Sequence, residues 1–330
     1  MIARLHVVLP FHLAVPEGKE FTLYSYDDNG YEVTVYPPVK TDHPIQREIP
    51  DSVLIDEAPA FVANGLRIDF RKESFDRTAG IESDPPMALI QRSADSFVTR
   101  IRYVTRATHI HPLRWPYVNW RLSYLSDDGS ELTEQAGLVR GHGSRGFRLS
   151  IAAVGPEAWN HAHSLGHDYS PPAWDTLRLD ANDVLPDVGT SVVLAATCLE
   201  VCITHTLDAL AEGSALPPDI WQWINSRGDW LREPTTAEQF DALLKVFTGH
   251  SLKEDAKLWE GFKNLKSARN SFVHEGVARI GDKAVSSDEA LKLLVKANEI
   301  IARLREWLPN DLRWPEFELK TQMKLEKKFF

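Results

Sequence analysis

The spacing of apolar positions changes character near the middle of the chain. Up to about residue 180 it follows the period of strands. Phe21–Tyr26 and Tyr31–Tyr36 are β-prone runs separated by Asp27-Asp28-Asn29-Gly30. An Asn-Gly step between such runs predicts a hairpin. Tyr117–Leu125 and Glu131–Val139 repeat the arrangement around Asp127-Asp128-Gly129, while Leu66–Phe70 and Phe97–Val104 alternate apolar with polar residues. Proline pairs at Pro37-Pro38, Pro85-Pro86 and Pro171-Pro172 mark loops. No internal repeat is present. These features predict a mostly antiparallel β domain over residues 1–180, a sandwich or open barrel, with one short helix near Pro156–Ala162.

From about residue 185 the period is that of a helix. Asp187–Leu210 is apolar on nearly every face through its centre, the pattern of a helix buried on most sides. Three capping boxes follow, Thr235-x-x-Glu238, Ser251-x-x-Glu254 and Ser286-x-x-Glu289, each ahead of a helical run of apolar residues. Gly249 and Gly276 stand where helices should stop, and a shorter helix is expected at Pro218–Ser226. Four long helices on short loops predict a helical bundle over residues 185–310. The basic tail, residues 311–330 with Lys320, Lys324, Lys327 and Lys328, is expected to be frayed or packed on a partner. The predicted class is thus α+β with two domains.

Composition agrees with that division. The 330 residues suit two domains at roughly 100–200 residues each. Apolar residues at 43% and charged residues at 25% exclude a disordered chain. The net charge of −10 gives no global drive toward nucleic acid, so any such contact needs a local basic patch. Two cysteines exclude a disulfide framework and a four-cysteine zinc site. Cys198 and Cys202 lie in an apolar run and are expected to pack as small hydrophobes in a reducing compartment. The amino terminus lacks a signal-peptide pattern. The most apolar window, Val192–Ile203, contains Glu200 and is shorter than the about 20 residues a spanning helix needs. A soluble cytoplasmic protein without a membrane partner is expected.

The stretch that can carry chemistry runs from Lys263 to Arg279. Lys263, Lys266, Arg269 and Arg279 face Glu275 alone, so this segment is +3 inside an acidic chain. On a helix, Lys266, Asn270 and His274 recur at i, i+4 and i+8, while Phe262, Leu265, Phe272 and Val273 are expected on the core side. A cation, an amide and an imidazole along one helix edge are the types that RNA cleavage needs. An imidazole moves a proton between the 2′-hydroxyl, the leaving 5′-oxygen and water near neutral pH. A guanidinium holds phosphoryl oxygens in pairs as charge builds on them. That chemistry requires no metal. The bland alternatives are a histidine at a helix end and a solvated or salt-bridged arginine. Glu200 either orients Arg269 at a cleft or lies on an exposed stripe with Thr204 and Asp208.

Arg269-Asn270-Ser271-Phe272-Val273-His274 resembles the HEPN superfamily, the nucleotide-binding domains of higher eukaryotes and prokaryotes. The family hallmark is Arg, four to six residues, then His near the end of a long bundle helix, commonly with a polar residue after the Arg. The ending His274-Glu275-Gly276 is similar to that of bacterial abortive-infection members, and the helix around Leu199-Glu200-Val201 resembles the first bundle helix. The likeness covers roughly residues 185–310 and leaves the β domain unassigned. It implies a metal-independent endoribonuclease, without cofactor, built at a homodimer interface, in a phage-defence or toxin-like role. Arg269, His274 and Asn270 would be catalytic, Lys266 and Lys263 would bind substrate, and Glu200 and Glu275 would support them. RNA is the implied partner, and a protein trigger or neutralising partner would act on the β domain. Other members of the family have lost activity and serve as interaction or RNA-binding modules.

Competing patterns are weaker. His161-x-His163-x3-His167-Asp168, with His109-x-His111, could form a metal-dependent site, although no known zinc-ligand spacing is present. Gly141-His142-Gly143-Ser144-Arg145-Gly146 reads as a glycine-rich turn rather than a phosphate loop. Arg100, Arg102, Arg106, Arg114 and Arg121, interleaved with Tyr103, Trp115, Tyr117 and Trp120, could form a nucleic-acid or ligand face with rings for base stacking, but read better as a solvated strand face.

Overall fold

The computed structural model describes residues 1–41, 52–75, 84–115, 118–126, 129–137, 151–225, 233–317 and 323–326. The Gly141–Gly146 loop, His142, Tyr117 and Lys320, Lys327 and Lys328 lie outside them. The chain forms two units, Met1–Pro171 with Glu316–Phe330, and Pro172–Pro315.

The first unit holds one nine-stranded sheet among the described residues. Its spine is β1 (Ile2–Pro16) against β5 (Ala58–Arg71), antiparallel from Ile2↔Arg71 to Pro16↔Ala60 with a register shift between Val8 and Leu13. Other strands pair with only part of this spine. β6 (Asn119–Leu125) lies on residues 2–8 of β1, and β8 (Ile151–Ala153) runs parallel to residues 12–14. β3 (Tyr31–Val35) lies on residues 68–71 of β5, and β4 (Ser52–Ile55) on residues 58–60. β2 (Tyr24–Asp28) pairs with β3, β7 (Glu131–Gly137) with β6, and β11 (Met323–Glu326) with β4. The Asn29-Gly30 hairpin is present, with both residues at positive φ.

The antiparallel expectation holds, but the strands make one sheet and two helices fill the side where a second sheet was expected. Helix α1 spans Met87–Thr105 and α2 spans Pro156–Ser164. Leu89, Ile90, Phe97, Ile101 and Trp159 join Leu5, Val7, Leu66, Ile68 and Phe70 in one core. Phe97–Val104 is therefore helix, not strand. Its β-prone residues fall at helical spacing, and burial against the sheet decides the conformation. Arg100 and Arg102 are consequently buried rather than displayed on a strand face. On the opposite face, Asp69 of β5 accepts from Arg4 and Arg67, with contacts from 2.6 to 3.1 Å, which pins strand register with charge-assisted bonds.

The second unit is helical. Its elements are α3 (Ala173–Asp183), α4 (Val188–Glu212), α5 (Pro218–Asn225), α6 (Thr236–Glu238), α7 (Leu244–Thr248), α8 (Ala256–Glu275) and α9 (Ser287–Trp307), with the short pair β9 (Arg279–Ile280) and β10 (Lys283–Ala284) between the last two. α4 packs on α3, α8 and α9, and α8 packs on α9. Val192, Leu199, Ile203, Leu265, Leu294 and Ile301 share the core. Among the described residues α4 alone is long and apolar enough to cross a membrane, and half of its most apolar window is buried in this core.

Capping boxes at Thr235 and Ser286 form as expected. The helix after Thr235 is not continuous, because a π-helical turn, Gln239–Leu243, separates α6 from α7. Ser251 and Glu254 bracket only a 3-10 turn. The cap of α8 is Asp255, whose carboxylate accepts from the N–H groups of Lys257 and Leu258, both at 3.1 Å. The tail divides: up to Pro315 it belongs to the helical unit, with Leu312 and Trp314 packed on that core, while β11 pairs with β4 in the first unit.

Candidate functional site

α8 ends at Gly276, whose φ of 75° is the left-handed conformation that glycine adopts without strain, and whose N–H donates to the Phe272 carbonyl at 2.8 Å. Leu258, Phe262, Leu265 and Ala268 form its buried face. Val273 departs from the expectation. It is 53% exposed, and Val277 beyond the helix end is exposed too.

Two hollows flank α8. The first is a crevice of about 10 Å³, lined by Ala196, Leu199 and Glu200 of α4, Thr236, and Phe262, Leu265, Lys266 and Arg269 of α8. That is about the minimum that admits one water. The second is open and about 720 Å³. It is lined by Ser267, Asn270, Ser271, His274 and Glu275 of α8 and by Arg279, Gly281 and Asp282 of the β9–β10 hairpin. Lys263 is exposed on α8.

The edge Lys266–Asn270–His274 is thus divided. Each four-residue step rotates by 40°, so Lys266 and His274 stand about 80° apart and meet different neighbours. Arg269 and Lys266 line the crevice with half-buried Glu200. His274 and Asn270 line the open hollow. Asn270 links the two, since its Oδ1 accepts from Arg269 Nη1 at 3.1 Å. Arg269 Nε is buried without a hydrogen bond. Glu275 Oε2 lies 3.9 Å from Arg279 Nε and 3.5 Å from Ser271 Oγ. Within one chain, therefore, the guanidinium of Arg269 and the imidazole of His274 belong to adjoining but separate surroundings. Reading the edge as a straight line hid this division. Arg279 was legible in sequence only as a charge, although Gly281-Asp282 between short runs is a turn signal that would have brought it over α8.

The histidine cluster has a different setting. His163 stacks on Tyr24 and His167 on Tyr26, each at 4.2 Å between centroids, while His161 lies 4.7 Å from Phe317. Burial, and then the nearby Arg100, push His163 down to about 3. Among the described residues no group of three or more His, Cys, Asp or Glu is placed to hold a metal. Arg100, fully buried, donates to the carbonyls of Ser96 and Ala162 at 3.2 Å and lies over the Tyr24 ring. Cys198 and Cys202 are buried free thiols, and burial pushes Cys198 up to about 12, which removes it as a nucleophile.

Comparison of the chain with models of known protein families, with curated proteins and with solved structures finds no match in any of the three.

Proposed function

We propose that this protein is a metal-independent endoribonuclease of HEPN type, working as a cytoplasmic homodimer in a phage-defence or toxin-like role. One observation carries the reading: Arg269 and His274 stand at the end of a long, capped bundle helix, where Asn270 holds the arginine and the imidazole lines an open polar hollow. In the proposed reaction His274 takes the 2′-hydroxyl proton. The 2′-oxygen bonds to phosphorus, the bond to the 5′-oxygen breaks, and that oxygen leaves with a proton from water or the second copy's imidazole. Arg269 stabilises the phosphoryl oxygens. Exposed Val273 and Val277, beside His274, supply an apolar margin for the second copy.

The test is cleavage of RNA by the purified full-length chain in EDTA. Cleavage is expected to disappear in Arg269→Ala and in His274→Ala with thermal melting unchanged. Full activity in either variant overturns the assignment. A second reading, a catalytically silent interaction module, is favoured by the separation of Arg269 from His274 within one chain. A dimer with no turnover on any RNA would establish it.

A further inference from the structure

Of the four cations of the basic stretch, Arg279 alone is given no task by the resemblance. It sits on β9, where Ala284 is its cross-strand neighbour. The hairpin closes through Gly281, at φ 58°, and Asp282. A glycine at the first position of a two-residue turn is what the twist of a tight hairpin asks for. Two side chains of α8 fasten this hairpin down. Ser271 Oγ donates to the Val277 carbonyl at 2.6 Å, and Ser267 Oγ to the Arg279 carbonyl at 3.5 Å. The backbone of Arg279 is therefore fixed over the face of α8 that carries Asn270 and His274.

Its side chain shares their open hollow of about 720 Å³. There Arg279 Nη1 donates to the carbonyl oxygen of Asp282 at 3.1 Å, and Nε lies 3.9 Å from Glu275 Oε2. That ion pair is at the edge of contact range. Its side chains are 41% and 63% exposed, a setting in which such pairs contribute little. A phosphodiester offers a guanidinium two oxygens at hydrogen-bonding distance, which is a stronger arrangement.

We infer that Arg279 holds a phosphate of the RNA strand beside His274, and that the Glu275 carboxylate stands in for that phosphate until RNA arrives. This rests on the ribonuclease reading and extends it. It gives His274 a cation from its own chain and assigns Glu275 to restraint of RNA binding.

The experiment measures binding of a short fluorescein-labelled single-stranded RNA by anisotropy, with the full-length chain carrying His274→Ala so that the probe stays intact. Arg279→Gln is expected to weaken binding about tenfold and to lower the salt slope by about one. Arg279→Lys should fall between. Glu275→Gln is expected to tighten binding about threefold, and to have no effect once Arg279→Gln is present. Unchanged affinity in Arg279→Gln overturns the inference, as does a Glu275→Gln effect that persists without Arg279. Cleavage by the unmutated chain is measured alongside. Cleavage together with binding indifferent to Arg279 removes this inference alone. Binding that depends on Arg279 without cleavage removes the ribonuclease reading alone and leaves an RNA site. No binding removes both.

Discussion

The ring of Phe272 lies where a side chain at Gly189 would begin. A Cβ built on Gly189 would penetrate the ring's van der Waals envelope, so the first turn of α4 and the last turn of α8 touch only because residue 189 has no side chain. The contact lies two residues before His274 and anchors the end of the helix that carries it. Gly189→Ala is therefore expected to cost about 1–3 kcal/mol, the range for overpacking a tight contact. Phe272→Leu introduced with it should recover part of the loss. Urea unfolding of the three variants checks this, and additive effects would show that the two residues do not press on each other.

Asn270 is expected to act through Arg269. Its Oδ1 is the acceptor that holds Nη1. If the ribonuclease reading is right, Asn270→Ala should lower kcat about tenfold with KM and melting temperature nearly unchanged. Asn270→Asp, which keeps the acceptor, should recover part of the rate. Equal loss in both variants would leave the bond without a role in catalysis.

Asp255, not Ser251, caps α8. Asp255→Ala should destabilise the helical unit by about 1 kcal/mol, as for other lost N-caps. The change in urea midpoint, with slope unchanged, measures it.

Acid should weaken the sheet unit in two successive windows. His163 is held down to about 3, against an ordinary 6.5, by burial and then by Arg100. Between about pH 3 and 6.5 it stays neutral when folded and takes up a proton on unfolding. Stability therefore falls as pH drops from 6.5 toward 3, by about 1–2 kcal/mol at pH 4 after discounting for partial exposure. Burial also lowers His6 and His12, which add with the same sign. Burial pushes the Asp69 carboxyl up, and the Arg4 and Arg67 guanidiniums outweigh it, so the net shift is below the usual 3.8. Its contribution is present above that value and fades as pH falls through the folded pKa. Urea midpoints from pH 7.5 to 3 should show His163→Gln flattening the upper window and Asp69→Asn the lower one. A midpoint that does not move between pH 6.5 and 4.5 contradicts the first assignment.

The helices were the most legible elements. α4 and α9 follow from apolar spacing, and the boxes at Thr235 and Ser286 formed as written because capping is a local, four-residue matter. α1 was misread because Phe97, Val98, Ile101, Tyr103 and Val104 favour strands intrinsically, and only the sheet beneath them selects the helix. β1 is absent from the sequence expectation, although Ala3, Leu5, Val7, Leu9, Phe11 and Leu13 alternate without interruption and all six are buried. At the candidate site, residue types and their helix could be read from spacing. The division of Arg269 from His274 could not, since it depends on which neighbours, α4 or the β9–β10 hairpin, flank each side of α8.

The pairing of β11 with β4 sets an order on synthesis. Residues 52–55 must wait for residues 323–326 before β4 gains its outer partner and β11 becomes the edge strand. At roughly 5–20 residues per second on the ribosome the delay is tens of seconds. The entire helical segment emerges during that interval and can fold first. Until then the edge offers unpaired backbone to any strand that passes, including the same segment of a neighbouring nascent chain. Crowded polysomes should therefore be where this protein is most prone to aggregate.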